Sequence, residues 1–422
     1  MSISACRICG HTDLEPILSL GDQALTSVFP DRPDAAVPSV PLDLVRCTPP
    51  GCGLVQLRHT ADFGLMFNDG YGYRSGIRPF MINHLGSLVA SVRAKVDVGP
   101  SDLVVDIGSN DSTLLRSYLP DAPTLVGFDL VGEKFRHLYP DGADLVAGPF
   151  SAEAFQERYG ERRARIVTSV AMYYDLPDPV AFMRDVRDVL APDGLWVAEQ
   201  SYLASMLDAG AYDVVCHEHL EYYALAQFDW MAERSDLVVI DAEVTDVYGG
   251  SLRVTLGHRG GPHAPNTEAL DRIRAAERAA GLATPAPYET FARQTEEHRD
   301  RLVDFLDRSR AQGRTTLGYG ASTKGNVILQ YCGLTAEDLP CIGEVSPEKA
   351  GTFTPGTGIP IVSEEDAKAR RPDQLLVLPW IYRDGFVERE AEFLAGGGSL
   401  VSSCASVGPS RPSGSSARTR GS

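Results

Sequence analysis

The chain has 422 residues, a length that corresponds to two or three domains, and its 43% hydrophobic and 23% charged residues are the composition of a soluble globular protein. Its net charge of −18 argues against nucleic acid or an anionic membrane as a partner. We find no apolar run that could span a bilayer and no signal peptide. We therefore expect a cytoplasmic protein.

The first domain is predicted over 1–70, where four cysteines occur in two close pairs. The cysteines are Cys6, Cys9, Cys47 and Cys52. In a reducing compartment this spacing indicates a metal rather than disulfides, and thiolates suit tetrahedral zinc. Four sulfurs would close the coordination sphere, so we expect a structural Zn²⁺ site. One alternative is four free thiols. The other is a site in which His11 or His59 replaces one sulfur.

Glycines and tyrosines alternate over 69–76, just ahead of a helix that the apolar spacing predicts over 81–95. A segment of this composition is flexible and aromatic. It is typical of a lid over a binding site, and a packed surface turn is the alternative interpretation.

The stretch 103–115 is predicted to form a buried strand, a tight turn at Gly108 and the start of a helix. A second strand at 125–129 ends in Asp129, which can accept hydrogen bonds from two ribose hydroxyls. The pattern Gly-x-Gly-x-x-Gly is absent, so the turn is not the dinucleotide fingerprint. An acid shortly before the glycine, here Asp106, is typical of S-adenosylmethionine (SAM) sites. An ordinary strand–helix turn is the alternative.

Strands and helices alternate across 103–254, which predicts a Rossmann-like SAM methyltransferase domain over 71–258. Later elements are predicted as strands at 166–169 and 195–199, a helix at 179–190 and a proline turn at 191–195. We expect Ser169 and Ala171, at a strand end, to contact the methionine part of SAM, and Phe150 to form the adenine-side wall. The predicted SAM-binding residues are Asp106, Gly108, Ser109, Asn110, Asp129, Phe150, Ser169 and Ala171.

The densest cluster of titratable groups lies within 212–223. Histidine titrates near working pH, so the cluster could serve acid–base chemistry. The spacing is not His-Glu-x-x-His, which excludes the zinc-protease interpretation. In an extended segment, His217 and His219 would share a face and Glu218 would point away. A catalytic metal and a purely structural cluster are the alternatives.

Residues 247–254 are predicted to form a closing strand pair with a tight glycine corner. Two helices at 266–280 and 288–312 follow, with Pro285 in the gap between them. They form a helical connector over 259–312. Their charged residues are most simply explained as the solvent-exposed faces of the two helices.

A third unit, predicted over 313–405, opens at 315–326 with another strand, glycine-rich turn and helix. Backbone amides at a helix N-terminus attract phosphate, and Lys324 adds positive charge. This pattern predicts a second, smaller Rossmann-like domain. Glu344 at the end of the next strand leaves NAD binding as an alternative. The tail 406–422 is rich in Gly, Ser, Pro and Arg and is expected to be disordered.

The order of these parts resembles the three-domain SAM-dependent sugar C-methyltransferases, which act on nucleotide-linked ketodeoxysugars in the biosynthesis of mycarose, tetronitrose and related antibiotic sugars. The motifs that carry the resemblance are the four cysteines, 106–111, Glu218-His219 and 318–326. It covers roughly residues 6–405. It implies a zinc domain, a SAM domain, and a Rossmann-like C-terminal domain that binds no dinucleotide but helps to bind the nucleotide diphosphate of the substrate.

The resemblance also implies a mechanism. In that family a 4-ketone acidifies the neighbouring carbon, a base removes its proton, and the enolate attacks the sulfonium methyl in line. The base is the histidine of a Glu-His pair, which corresponds to His219 beside Glu218. Tyr73 corresponds to the aromatic lid residue that can hydrogen-bond the sugar.

The chain departs from the family at two positions of the expected active site. Cys216 stands where family members have a tyrosine, and Tyr173 or Tyr174 stands where they have a histidine. Tyr222 or Tyr223 could replace the missing phenol. Both departures bear on the position methylated and on the substrate class.

An acidic protein that binds a diphosphate needs a local cationic site. The predicted substrate-binding residues are Ser322, Thr323, Lys324, Asn326, Lys349 and Arg383, with Arg253 as a further cation. We expect a monomer or weak homo-oligomer that C-methylates a nucleotide sugar, with dTDP as the expected nucleotide. SAM-dependent O-, N- or non-sugar C-methylation is the alternative function, and a nicotinamide-dependent oxidoreductase is a third.

Overall fold

The structure, a computed structural model, describes residues 1–67, 72–119 and 123–403. Residues 69–71 of the predicted lid and the predicted tail at 406–422 lie outside these ranges. The described chain is α/β and forms two compact units. The first unit comprises Met1–Gly21, Val40–Asp208 and Val215–Ala292; the second comprises Asp22–Ser39, Ala209–Val214 and the described residues from Arg293 onward. The domain boundaries given above stay predictions.

The secondary structure is numbered in chain order. The strands are β1 (Leu14–Ala24), β2 (Ser39–Cys47), β3 (Val55–Leu57), β4 (Leu103–Ile107), β5 (Thr124–Asp129), β6 (Asp144–Ala147), β7 (Ala164–Val170), β8 (Leu190–Ser201), β9 (Glu221–Tyr222), β10 (Leu237–Thr245), β11 (Ser251–His258), β12 (Thr316–Tyr319), β13 (Ile342–Glu344), β14 (Ile361–Ser363), β15 (Gln374–Val377) and β16 (Ser399–Ser402).

The helices are α1 (Phe63–Met66), α2 (Pro79–Arg93), α3 (Thr113–Arg116), α4 (Ala152–Tyr159), α5 (Pro179–Val189), α6 (Leu203–Ala209), α7 (Leu225–Arg234), α8 (Thr267–Ala279), α9 (Ala286–Ala311), α10 (Thr323–Tyr331), α11 (Glu364–Ala369), α12 (Arg383–Arg389) and α13 (Ala391–Ala395). Short 3-10 helices lie at Ser75–Ile77, Gly132–Leu138, Tyr173–Asp175, Tyr212–Val214, Val247–Gly249 and Trp380–Tyr382. No helix of the described parts is long and apolar enough to cross a membrane.

The large sheet of the first unit has the strand order β10-β11-β8-β7-β4-β5-β6. Strands β4 to β8 run parallel, and β11 runs antiparallel to both β8 and β10. All five residues of β4 are buried, as expected of a central strand covered on both faces. The carboxyl ends of β4, β5 and β7 therefore meet at one edge, where the predicted SAM-binding turn begins.

Helix α2 forms over nearly the predicted range. Proline is favourable in the first turn, because its fixed φ suits the helix and its missing N–H would have no intrahelical partner. The helix therefore begins at Pro79 rather than Met81. Its apolar residues recur at helical spacing and join a buried cluster with β4 and β5. These residues are Met81, Leu85, Leu88, Val89 and Val92.

Two details of the central sheet differ from the prediction. Strand β8 begins at Leu190, so the predicted proline turn lies inside a strand that pairs with β7 across a register shift. Strand β6 was not predicted, because a strand of four residues is too short to show a period. A smaller sheet of order β1-β2-β3-β9 connects the N-terminal region to the titratable segment through the pair Val55–Tyr222.

The second unit contains a parallel sheet of order β14-β13-β12-β15-β16. When the parallel strands of each sheet are numbered along the chain, this order is 3-2-1-4-5, and β4 to β8 of the first unit have the same order. In such sheets ligands bind outside the carboxyl ends of the strands, where the strand order reverses. The topology thus places one such position after β4 and another after β12.

Candidate active site

The four cysteines predicted to bind zinc lie together. Their Sγ atoms are all within 4.8 Å of one another, and two of the separations are 3.5 Å. Sulfurs about 2.3 Å from a tetrahedral zinc would lie about 3.8 Å apart, so the donor set fits zinc. Among the described residues, this ligand group consists of Cys6, Cys9, Cys47 and Cys52 and includes neither His11 nor His59. A four-sulfur structural site is therefore favoured over a mixed one.

The turn after β4 has a left-handed backbone at Gly108, with φ 74°. A Cβ at this position would lie 3.0 Å from Met172, so glycine is required by both conformation and space. The Gly108 N–H donates to the Phe128 carbonyl at 2.8 Å. Ser109 Oγ is hydrogen-bonded to the Tyr139 hydroxyl at 2.7 Å. These bonds fix the turn between β4 and β5.

Asp129 ends β5 and is oriented by backbone amides. Its Oδ2 accepts from the Asn110 N–H, and its Oδ1 accepts from the Val131 N–H, both at 2.8 Å. Burial raises the pKa of Asp129, and the amide bonds oppose that shift. A carboxylate accepts about four hydrogen bonds, so this one retains capacity for ribose hydroxyls. Leu130, the next residue, is 47% exposed and offers an apolar surface beside the acid.

Asp106 and Ser169 lie beneath this turn. Asp106 is buried, its Oδ1 accepts from Thr168 Oγ1 at 2.6 Å, and burial raises its pKa to about 7. Ser169 Oγ accepts from a buried indole N–H at 3.0 Å. Ala171 has a left-handed backbone, with φ 53°, and its N–H donates to β8 at 2.7 Å. Asp106 and Ser169 are thus hydrogen-bonded to neighbouring strands of the sheet at the edge where SAM binding is predicted.

Phe150, the predicted adenine-side residue, follows β6. Its ring packs edge-on against Phe128, with centroids 5.2 Å apart, and contacts Phe182 at 5.5 Å. The residue is half-buried, so part of its surface faces outward. This arrangement suits an apolar wall of a pocket.

The described part of the predicted lid is bonded to the SAM-binding turn. Asn110 Nδ2 donates to the Tyr73 carbonyl, and Asn110 Oδ1 accepts from the Ser75 N–H, both at 3.0 Å. Asp111 Oδ2 accepts from the Gly76 N–H, also at 3.0 Å. The segment thus contacts the turn, as a lid would.

Tyr73 and Tyr248 form a pair of phenols beside this turn. Their hydroxyls are hydrogen-bonded to each other, and Tyr73 is 40% exposed. Tyr248 has φ 55°, a left-handed conformation that costs a bulky residue about 1–3 kcal/mol. The hydrogen bond links the predicted lid to the 3-10 helix Val247–Gly249, which precedes β11.

His84, Glu199 and Arg253 form a buried charged network on α2, β8 and β11. Glu199 is hydrogen-bonded to His84 and accepts from Arg253 Nε at 2.5 Å, and Arg253 Nη1 donates to Glu243 at 2.7 Å. Burial would raise the pKa of Glu199, but the His84 and Arg253 bonds hold it below its usual value. Arg253 is engaged by two carboxylates, so its prediction as a substrate-binding cation is wrong.

The Glu218–His219 pair lies in a turn and not in an extended segment, because the His219 N–H donates to the Cys216 carbonyl at 3.1 Å. The extended segment in which His217 and His219 would share a face is therefore not formed. His217 is buried and bonded to the Val40 carbonyl at 3.0 Å, which is a structural role. His219 is half-buried, and its ring lies 4.1 Å from that of Tyr174.

Of the two tyrosines that could replace the family histidine, Tyr174 contacts His219. Tyr173 is fully buried, and its hydroxyl donates to the Pro179 carbonyl at 2.9 Å. Tyr223 is also buried, with its ring 5.4 Å from that of Tyr173. Tyr173 and Tyr223 therefore belong to an aromatic core layer.

Several acids are buried around the turn that contains Glu218 and His219. Asp175 and Glu218 are 7% and 8% exposed. Burial raises the pKa of Asp175 well above its usual value, and the nearby Glu218 and Glu221 raise it further. Tyr222 is buried in β9, where burial raises its pKa and the charges of Cys216 and Glu221 add to the shift. Its catalytic role stays a prediction.

In the second unit, the predicted substrate residues surround the turn after β12. Ser322 caps α10, with its Oγ accepting from the Gly325 N–H at 3.0 Å. Lys349 Nζ donates to the Ala321 carbonyl at 2.9 Å. Asn326 is buried, and its Nδ2 donates to the Thr26 carbonyl at 2.7 Å. Asn326 therefore stabilises this unit, whereas Lys349 places a cation at the turn.

The remaining predicted substrate residues follow the same turn or lie on α12. Thr323 and Lys324 are half-buried in the first turn of α10. Lys324 lies near Asp213: burial raises the pKa of Asp213, while Lys324 and a Trp380 hydrogen bond oppose that shift. Arg383 begins α12 and lies 3.7 Å from a neighbouring aspartate.

Three family models match the chain: a zinc binding domain over 6–67, a methyltransferase domain over 87–242, and a C-methyltransferase C-terminal domain over 246–404. The C-methyltransferase NovU of Streptomyces niveus is 32% identical over 404 residues, which is 94% of this chain and 95% of NovU. The chain belongs to the three-domain SAM-dependent C-methyltransferase family. Its cofactors are SAM and the zinc of the cysteine cluster.

Solved structures are also similar to part of this C-methyltransferase. One is a complex of the Haloferax volcanii Trm112 methyltransferase activator with a methyltransferase, at 15% identity over 44% of this chain and 93% of that chain, with TM-score 0.36. Another is the CcbJ methyltransferase from Streptomyces caelestis, at 14% identity over 44% and 93%, with TM-score 0.34. Scores of this size carry no argument about function.

Sequence reasoning missed several residues of this C-methyltransferase site. Tyr248 was predicted only as part of a glycine corner, and no sequence signal indicated that it would meet Tyr73. Tyr139 and Thr168, which bond the predicted SAM residues, are separated from them by about thirty and sixty positions. Tyr174 could be found, because it departs from the residue expected by resemblance.

Proposed function

We propose that this C-methyltransferase methylates a carbon of a nucleoside-diphosphate-linked 4-keto-deoxysugar. The observation that carries the proposal is the position of His219. Its half-buried ring lies 4.1 Å from the ring of Tyr174, at a tilt of 44°, and Tyr174 belongs to the segment that directly follows the carboxyl end of β7. That strand end is where the methionine part of SAM is expected, which supports His219 as the base that deprotonates a methyl acceptor there.

The chemistry requires a base because the acceptor is a carbon acid. A ketone acidifies the neighbouring C–H, His219 removes that proton, and the resulting enolate carbon attacks the methyl group that SAM supplies. Glu218, 8% exposed and next in the chain, is the group that we propose to stabilise the protonated imidazole. The phenols of Tyr73 and Tyr248 are the proposed donors to the sugar oxygens.

The second unit supports a nucleotide on the substrate. Its turn after β12 combines the amides of the first turn of α10 with the cations Lys324 and Lys349, groups that suit a diphosphate. Arg383 is a further proposed contact. With a total charge of −18, the protein needs such a local cationic site for an anionic substrate.

The test is incubation with SAM and a panel of dTDP-4-ketohexoses, analysed by mass spectrometry. We expect one sugar to gain the mass of one methyl group on carbon, with no product from His219→Ala and normal product from His137→Ala, an exposed histidine. Methylation of oxygen or nitrogen, or full activity of His219→Ala, would favour the alternative small-molecule methyltransferase. That alternative is kept because Cys216 and Tyr174 differ from the residues expected in the family's active site.

A further inference from the structure

The side chain of Gln200 is buried without a hydrogen-bond partner. It lies one residue before the end of β8 and is 1% exposed. Within 1–67, 72–119 and 123–403, no residue is hydrogen-bonded to its Nε2 or to its Oε1. Burying an amide in this way lowers stability, and an apolar side chain of similar size would avoid the loss. The folding of the chain therefore does not explain why this residue is polar, whereas a partner on a bound ligand would.

The strand order places β8 beyond the methionine end of the predicted SAM site. Strands β8, β7, β4 and β5 are parallel neighbours in that order. The predicted SAM contacts follow the same edge from Asp129 at the end of β5, through the turn after β4, to Ser169 and Ala171 at the end of β7. The next strand along this edge is β8. We therefore expect its carboxyl end to adjoin the methyl acceptor rather than the nucleoside of SAM.

The strand register brings Gln200 beside the methionine-side residue Ala171. Glu199 pairs with Val170, and the Ala171 N–H donates to the Glu199 carbonyl at 2.7 Å. Gln200, the next residue of β8, therefore comes level with Ala171.

Gln200 also lies on the face of the sheet that leads to the proposed base. Glu199 is hydrogen-bonded to α2 on one face. Side chains alternate along a strand, so Gln200 lies on the opposite face together with Trp196. The Trp196 ring is 5.5 Å from that of Tyr173, and the residue after Tyr173 contacts His219. Gln200 thus lies on the face where the segment that contacts His219 packs.

The proposed reaction supplies a partner for this amide. When His219 removes the proton next to the ketone, negative charge develops on the ketone oxygen. An amide N–H stabilises such an oxygen without transferring a proton, and does so more strongly where water is excluded. We propose that Gln200 is a catalytic residue whose Nε2 donates a hydrogen bond to the ketone oxygen of the methyl acceptor. This role rests on the proposed function.

The test is deuterium uptake next to the ketone, measured by mass spectrometry in D₂O with S-adenosylhomocysteine and the panel of dTDP-4-ketohexoses. Gln200→Met keeps a side chain of similar size but removes the donor. Because the loss of one donor to a developing oxyanion lowers kcat roughly 100- to 1,000-fold, we expect the saturating rate of uptake to fall by that factor, with a smaller change in KM. Gln156→Met, which alters an exposed glutamine of α4, is the matched control and should show the wild-type rate.

Two further measurements distinguish a substrate contact from a structural role. The amide of Gln200 has no hydrogen-bond partner among the described residues, so Gln200→Met should not lower the midpoint of thermal unfolding. The variant should also bind S-adenosylhomocysteine with the wild-type affinity in calorimetry, because the expected partner of Gln200 is the acceptor and not SAM.

The outcomes separate this inference from the proposed function. A wild-type rate of uptake by Gln200→Met, or a lower thermal midpoint, would refute the role of Gln200 while leaving His219 as the proposed base. Weaker binding of S-adenosylhomocysteine would also refute it, because the amide would then contact the methionine part of SAM. If the wild type takes up no deuterium with any ketohexose but binds S-adenosylhomocysteine, the proposed function itself fails, and the role of Gln200 fails with it.

Discussion

Replacing Arg253 with methionine tests the buried network of α2, β8 and β11. Glu199 is 2% exposed, and Arg253 Nε bonds its Oε2 at 2.5 Å. Removing one partner of a buried ion pair costs about 3–5 kcal/mol, because the remaining charge is left uncompensated. For a unit of this size we expect the midpoint of thermal unfolding to fall by about 6–10 °C at pH 8.

The pH dependence of this loss has a defined sign. In the wild type the pKa of Glu199 is held below its usual value, so its stabilising contribution is present at neutral pH and is lost only as acid protonates the folded state. In Arg253→Met burial dominates and the pKa of Glu199 rises, so the carboxyl becomes neutral more easily. The difference in midpoint between variant and wild type should therefore shrink from pH 8 to pH 5 in circular-dichroism melts.

Two variants make the result interpretable. The double variant Glu199→Gln/Arg253→Met should recover much of the loss, since no buried charge remains. Arg293→Met breaks an exposed ion pair with Glu297 and should cost no more than about 1 kcal/mol. A midpoint for Arg253→Met within 2 °C of the wild type, where about 6 °C is expected, would refute the reasoning.

Three further predictions concern the cofactor sites and the lid. Cys47→Ser should lose bound zinc in metal analysis and lower the thermal midpoint, whereas Cys341→Ser, which alters a buried cysteine outside the cluster, should keep the zinc; equal zinc in both would contradict the site. Asp129→Asn should weaken S-adenosylhomocysteine roughly 10- to 100-fold by calorimetry, with Asp141→Asn as the exposed control, and unchanged affinity would remove Asp129 from the site. Tyr73→Phe should lower kcat with the affinity for S-adenosylhomocysteine unchanged, and a wild-type kcat would exclude a role for its hydroxyl.

The fold was largely predictable because its signals are local. The strands around Asp106 and Asp129, helix α2 and the two connector helices follow from apolar spacing and from proline and glycine positions. Strands β6 and β14, of four and three residues, were missed because they contain too few residues to show a period, whereas the equally short β12 and β13 were predicted from the glycine-rich turn and the acid that follow their apolar residues. The start of β8 was missed because its strand pairing overrides a sequence that is typical of a turn.

The site was predictable where one short motif contains the whole feature, as in the cysteine pairs and the Gly108 turn. It was not predictable where the contact joins distant segments. Tyr248 meets Tyr73 across 175 positions, and Arg253 pairs with Glu199 across 54. No local pattern encodes such pairs. Arg253 was therefore predicted to bind the substrate, whereas in the structure it is hydrogen-bonded to two carboxylates.

The proposed function requires that His219 deprotonates a carbon next to a ketone. The most direct measurement is deuterium uptake at that carbon, by NMR or mass spectrometry, when a dTDP-4-ketohexose is incubated in D₂O with the enzyme and S-adenosylhomocysteine, so that no methyl can be transferred. We expect uptake with the wild type and with His137→Ala, and uptake at the background rate with His219→Ala. Uptake by His219→Ala at the wild-type rate would contradict it.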